Sequence, residues 1–145
     1  MSFDLKIQDG DLSIGTDGDL KLVEKKDKLV QDLLKISTTT KGSKQKYPFY
    51  GSLISNSLIG SVLPEDFTNT YASSQLRESV QSLVEMQAIQ EKYQYLSPEE
   101  SIGAIREVSI QKFTSDPRYF LIYISVLNKA FTKVEAQFEF STTGL

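Results

Sequence analysis

The chain has 145 residues, 16 basic and 19 acidic side chains for a net charge of −3, and neither cysteine nor histidine. That composition excludes disulfides, thiolate or imidazole zinc sites and every triad that needs a histidine base. At 39% hydrophobic it predicts a single domain, residues 1–145, around one modest core. The charge balance creates no field that would draw the molecule onto nucleic acid or a membrane.

The start, MSFDLKIQDGD, has an acid at the fourth position and no long apolar run. This predicts neither a signal peptide nor a membrane span, and a soluble chain made in the cytoplasm. FDLKIQ and DLKLV alternate apolar and polar residues and are punctuated by Asp9-Gly10 and Asp17-Gly18, so a β-hairpin or two-turn ribbon is expected. From Glu24 to about Ser37 the period becomes helical. Leu29, Val30, Leu33, Leu34 and Ile36 share one broad face, opposite Lys25, Lys28, Asp32 and Lys35, as in an amphipathic helix.

Thr38 to Thr40 are poor helix formers, and Gly42 can close a helix in the left-handed conformation. The segment TTTKGSKQKYPFYGS, Thr38 to Ser52, therefore begins at a helix end. Leu53 to Leu63 suits a short helix interrupted near Gly60, and Pro64 stops it. A long helix is expected from about Thr70 to Tyr93, burying Leu76, Val80, Leu83, Val84 and Met86 with Tyr71, Gln75 and Glu78 outside. LSPEESIG, Leu96 to Gly103, reads as a linker-like turn or one helical turn capped by Ser97. IREVSIQKF, YFLIYISVL and VEAQFEF then predict a three-stranded antiparallel meander. In the last of these, Val134, Ala136, Phe138 and Phe140 alternate with Glu135, Gln137 and Glu139, so one face is buried and one solvated. The fold class is α+β: an N-terminal β-ribbon, two or three helices including one long one, and a C-terminal sheet.

The lysine-rich segment invites three readings. Lys41-Gly42-Ser43-Lys44 lacks the first glycine of a P-loop and follows a helix where a strand is required, so no nucleotide cofactor is expected. Lysines interleaved with Tyr47, Phe49 and Tyr50 are the recipe for single-stranded nucleic acid, which keeps a small nucleic-acid-binding domain as an alternative. Three lysines in a near-neutral chain weigh against it. A lysozyme-like glycoside hydrolase is the other alternative, since it needs only two carboxylates. The acids here sit at turns and on polar helix faces, as solubility alone requires. No catalytic residue, cofactor, metal or small-molecule substrate is assigned. The final strand, close to the carboxyl end, is a plausible edge for β-augmentation, because an edge offers unpaired backbone groups.

With these residues in view, the chain resembles the phage baseplate wedge proteins of the W-protein or gene-25-like family, the sheath initiators of contractile tails and related injection systems. The resemblance is carried by DKLVQDLLKISTTTKGSKQKYPFYGSLI, Asp27 to Ile54. It shows the family's order of helix, Leu/Ile-x-Thr-x-x-Lys-Gly, spacer, Pro, aromatic and Gly-Ser. GDLKLVEKKDKL, Gly18 to Leu29, looks like the usual lead-in. The resemblance implies a non-enzymatic virion protein of the tail baseplate that joins the wedge core to the first sheath ring. It also implies that terminal strands template sheath assembly by strand pairing, which draws attention to Tyr119 to Leu127 and to Val134, Glu135, Ala136, Gln137, Phe138, Glu139 and Phe140. The expected partners are other wedge subunits, the tail sheath protein and tube-proximal baseplate proteins. Contacts with the wedge core are expected at Lys41, Lys44, Lys46, Tyr47, Phe49 and Tyr50.

One departure stands out. The family's Glu-Pro-Arg tripeptide, which grips the core bundle before the first terminal strand, is missing where this chain reads LSPEESIGAIREV. Asp116-Pro117-Arg118 lies in a later turn and does not inherit the role; Glu99, Glu100 and Arg106 are expected to supply the charges of the wedge-core contact instead. Members of the family have carried a lysozyme label, to which no motif-placed carboxylate pair here gives support.

Overall fold

The computed structural model describes residues 2–54, 65–113, 115–116 and 118–141. In chain order these form β1 (Phe3–Leu5), β2 (Ile7–Gln8), β3 (Asp11–Leu12), β4 (Leu22–Glu24), α1 (Lys25–Thr38), α2 (Glu65–Gln90), β5 (Ile102–Lys112), β6 (Tyr119–Asn128) and β7 (Lys133–Ser141). The architecture is α+β, with antiparallel strand pairs at the amino end and a three-stranded antiparallel sheet, β5-β6-β7, at the other. The expected helix from Leu53 to Leu63 falls outside the described residues beyond Ile54, which is itself buried.

The core is a single layer contact. Leu29, Leu33 and Ile36 of α1 and Ala72, Leu76, Val80 and Leu83 of α2 pack on the inner face of the sheet, against Ile122, Ile124, Val126, Val134 and Ala136 among others. The α1 stripe is narrower than the sequence pattern: Leu29, Leu33 and Ile36 are buried, Val30 and Leu34 half-buried. Lys28 on the supposed wet face is buried and bonded to Asp32 at 2.7 Å. α2 begins at Glu65 rather than near Thr70. Its polar first turns carry no apolar period to read, while Asp66 suits the positive end of a helix dipole. Val84 and Met86 are half-buried, and Ala72 joins the core instead.

Strand β7 alternates as its sequence pattern requires: Val134, Ala136 and Phe140 are buried, Phe138 is half-buried, and Glu135, Gln137 and Glu139 face solvent. Its register against β6 is unbroken from Tyr119↔Ser141 to Leu127↔Lys133. Strand β5 starts three residues before the expected Ile105 and carries two register shifts, between Ile102 and Ala104 and between Ile105 and Glu107. Bulges of this kind bend an edge and break the strict alternation by which strand ends are read. At the amino end, Asp9 and Gly10 both have positive φ, 54° and 83°, the backbone a two-residue hairpin turn needs. The second turn is longer than an Asp-Gly pair, running from Gly15 to Asp19 inside the Ile14↔Leu20 bridge.

Candidate partner-binding surfaces

The outer edge of β7 can be assigned group by group. Across the β6–β7 hairpin the Asn128 N–H donates to the Thr132 carbonyl at 3.1 Å. Antiparallel ladders alternate bonded and non-bonded pairs, so Val134, Ala136, Phe138 and Phe140 turn their backbone N–H and C=O toward β6. On the other side of β6, the Phe113 N–H donates to the Tyr119 carbonyl at 3.0 Å. That puts the odd residues of β6 toward β5 and the even ones toward β7, in agreement. The backbone groups of Lys133, Glu135, Gln137 and Glu139 therefore point away from the sheet, and among the described residues no strand pairs with them. On the solvated face, Tyr123 OH donates to Glu135 at 2.8 Å and the Lys133 ammonium lies 2.7 Å from the same carboxylate. These two partners, Lys133 first, hold the Glu135 pKa below the ordinary carboxylate value.

The lysine-aromatic loop is anchored at both ends. α1 stops because Ser37, Thr38 and Thr39 hydroxyls bond back to the carbonyls of Leu33, Leu34 and Lys35, an alternative that competes with helix continuation. Thr39 caps in an extended conformation, so Gly42 does not close the helix. Its φ of 87° serves the next turn, where Ser43 N–H meets the Thr40 carbonyl. The loop returns to its origin at Ser52: its N–H bonds Thr39, its carbonyl accepts from Lys41, and its hydroxyl donates to Ser37. Gly51 makes that closure possible, since its φ is 115° and a Cβ there would sit 2.5 Å from the Thr39 carbonyl oxygen.

Between these anchors the candidate residues separate. Tyr47 and Phe49 stand 57% and 58% exposed, and Lys46 is exposed beside them. Tyr50 is half-buried against the core. Burial first, then the carboxylates of Asp32 and Asp4, pushes its pKa up to about 12. Lys44 lies 4.9 Å from the Tyr50 ring centroid, within cation–π range, and Lys41 is 3.8 Å from Glu78 on α2.

The turn before β5 is held by two buried amides that the sequence reading passed over. Gln87 donates to the Glu100 carbonyl at 3.0 Å and accepts from Ile102 N–H at 2.9 Å. Asn128 donates to the Glu99 carbonyl and accepts from Thr132 N–H. Gln87 follows Val80 and Leu83 at helical spacing, so a polar residue in core phase was the available signal. Glu100 is only 2% exposed and takes the Ser97 N–H on one oxygen, the return half of a capping box. Its carboxylate thus faces inward, whereas Glu99, 3.7 Å from Lys25, and Arg106 remain at the surface. Among the described residues no group of acids is placed to hold a metal, and no helix is long and apolar enough to cross a membrane.

No family model matches the sequence, and no curated protein matches it. The fold is similar to the crystal structure of a candidate tail lysozyme from Geobacter sulfurreducens, with a TM-score of 0.56 and 14% identity. The alignment covers 79% of this chain and 88% of the other. At that identity the likeness is one of fold.

Proposed function

We propose that this protein is a structural component of a contractile phage tail or related injection system, a baseplate wedge subunit that joins the wedge core to the first sheath ring. The observation that carries the reading is the outer edge of β7. A well-packed sheet presents the backbone groups of Lys133, Glu135, Gln137 and Glu139 in register, which is what an incoming strand needs for β-augmentation. The fold shared with a protein described as belonging to a tail and the Asp27–Ile54 motif support the same reading. In this role the sheath protein pairs with β7, while Lys46, Tyr47 and Phe49 on the loop and Glu99 and Arg106 near the turn meet neighbouring wedge or tube-proximal subunits.

Edge parity supplies the test. Gln137→Pro removes an outward N–H and leaves the β6–β7 ladder its donors; Ala136→Pro removes an N–H that β6 needs. Particles assembled with Gln137→Pro should show bare tubes by electron microscopy while the purified variant keeps its circular dichroism. A normal sheath on those particles would overturn strand templating. Ala136→Pro should instead destabilise the domain itself.

The neighbour's description favours one second reading, a lysozyme-like hydrolase. A general acid for that chemistry needs a raised carboxyl pKa. Asp4, Glu91, Asp116 and Glu135 are all shifted the other way, Asp116 to about 2 by the Arg118 hydrogen bond. Peptidoglycan cleavage by the purified chain, lost on substitution of a single carboxylate, would establish the hydrolase instead.

A further inference from the structure

The amino-terminal ribbon is built with its polarity reversed. Asp4 and Val23 are paired and face α1, while their neighbours Leu5 and Leu22, also paired, face outward. Phe3 is 59% exposed and Ile14, bridged to Leu20, 64% exposed. Beside this face a groove of about 360 Å³ runs between ribbon and helix, with Lys6, Ile7 and Leu22 on one wall and Asp27, Val30 and Leu34 of α1 on the other. Contiguous apolar surface of this kind marks an interaction site.

Charge and hydrogen bonding narrow the occupant. Residues 3–24 contain six acidic and two basic side chains, a balance of −4 in a chain whose total is −3. Asp9, Asp11, Asp17 and Asp19 are exposed around the ribbon's turns. A strand cannot add at the groove, because Gln31 already occupies that edge of the ribbon. Its amide accepts from Ile7 N–H at 2.8 Å and donates to the Leu5 carbonyl at 2.8 Å. What the groove offers is side chains, Val30 and Leu34 one helical turn apart with Asp27 and Lys6 beside them, and a trough of mixed side chains suits an amphipathic helix.

We infer that the ribbon–α1 groove is a docking site for an amphipathic helix of a partner protein whose apolar stripe is bordered by lysines or arginines. This surface is separate from the β7 edge and the lysine-aromatic loop, and it stands whether or not the chain initiates a sheath. The probe is a fluorescein-labelled helical peptide with leucines at i, i+3, i+4 and i+7 flanked by lysines, titrated with the whole chain and read by anisotropy. It should bind, more weakly as salt rises, and a version flanked by glutamates should bind at least tenfold more weakly.

Leu22→Glu, at an exposed position, should weaken the lysine peptide roughly tenfold or more, since one leucine contact is lost. Asp9→Asn with Asp19→Asn should weaken it a few-fold and flatten the salt dependence; Asn tolerates the positive φ of Asp9. Binding of neither peptide, equal binding of both, or indifference to Leu22→Glu would overturn the inference. Self-association by light scattering that Leu22→Glu abolishes, with neither peptide bound, would assign the face to a second copy of the chain.

Discussion

Strand β7 and the ribbon strand β1 have the same alternating pattern, and the structure treats them in opposite ways. In β7 the apolar set, Val134, Ala136 and Phe140, goes inward beneath α1. In β1 it is the aspartate that goes inward and Phe3 and Leu5 that stay in water. The difference lies in what α1 offers each strand. Toward β7 it presents leucines and an isoleucine; toward the ribbon it presents Gln31 and Lys35, which bond Asp4. Alternation decides which residues share a face, and only the opposing element decides which face is covered.

Emptying the two faces in turn separates a covered face from an uncovered one. Ile124→Ala, in the fully buried centre of β6, should cost about 2–5 kcal/mol in a urea melt, the range for a core cavity. Leu22→Ala on the ribbon's outer face should change stability by about 0.5 kcal/mol or less. Comparable losses would mean that the outer face is packed after all.

The same contrast explains what was legible beforehand. Both described helices, the terminal meander and the Asp9-Gly10 turn follow from local pattern, because their residues alternate or recur with the period of the element they build. The start of α2 did not, since nothing between Glu65 and Thr70 repeats. The early start of β5 was hidden by its bulges. Of the candidate surfaces, the β7 edge was readable as a strand, but which of its residues turn their backbone outward depends on a hydrogen bond between Asn128 and Thr132. The inward turn of Glu100 was not readable, because Ser97-Pro98-Glu99-Glu100 is equally good chemistry for an exposed turn.

A finer test compares two glutamines that do the same job in the two regions. Gln87→Ala leaves the buried Ile102 N–H and Glu100 carbonyl without partners, at a cost of about 2–3 kcal/mol. Gln31→Ala frees the Leu5 carbonyl and Ile7 N–H in a part-buried setting. There water can replace the amide, so the cost should be about 1 kcal/mol. Hydrogen exchange should locate the second effect at the Ile7 amide and the first across the α2–β5 junction. A larger loss for Gln31→Ala would make the ribbon, not the turn, the tighter of the two attachments.

The smallest effect concerns pH and isolates the ribbon. Burial alone would raise the Asp4 pKa, but the hydrogen bond and charge of Lys35, with help from Leu5 N–H and Gln31, outweigh it and leave the group below 3.8. A depressed carboxyl pKa contributes stability that is present above the unfolded value and lost as pH falls through the folded one. Asp4→Asn should therefore be less stable than the parent at neutral pH and converge with it below about pH 4. The Asp4 and Lys35 side chains are 31% and 34% exposed, so solvent screening keeps the difference to about 1 kcal/mol or less. Exchange at the Ile7 amide should follow the same pH course, while amides at the centre of β6 should not respond. If the β6 amides moved with it, the ion pair would be supporting the whole domain, and ribbon and sheet would have to be treated as one cooperative unit.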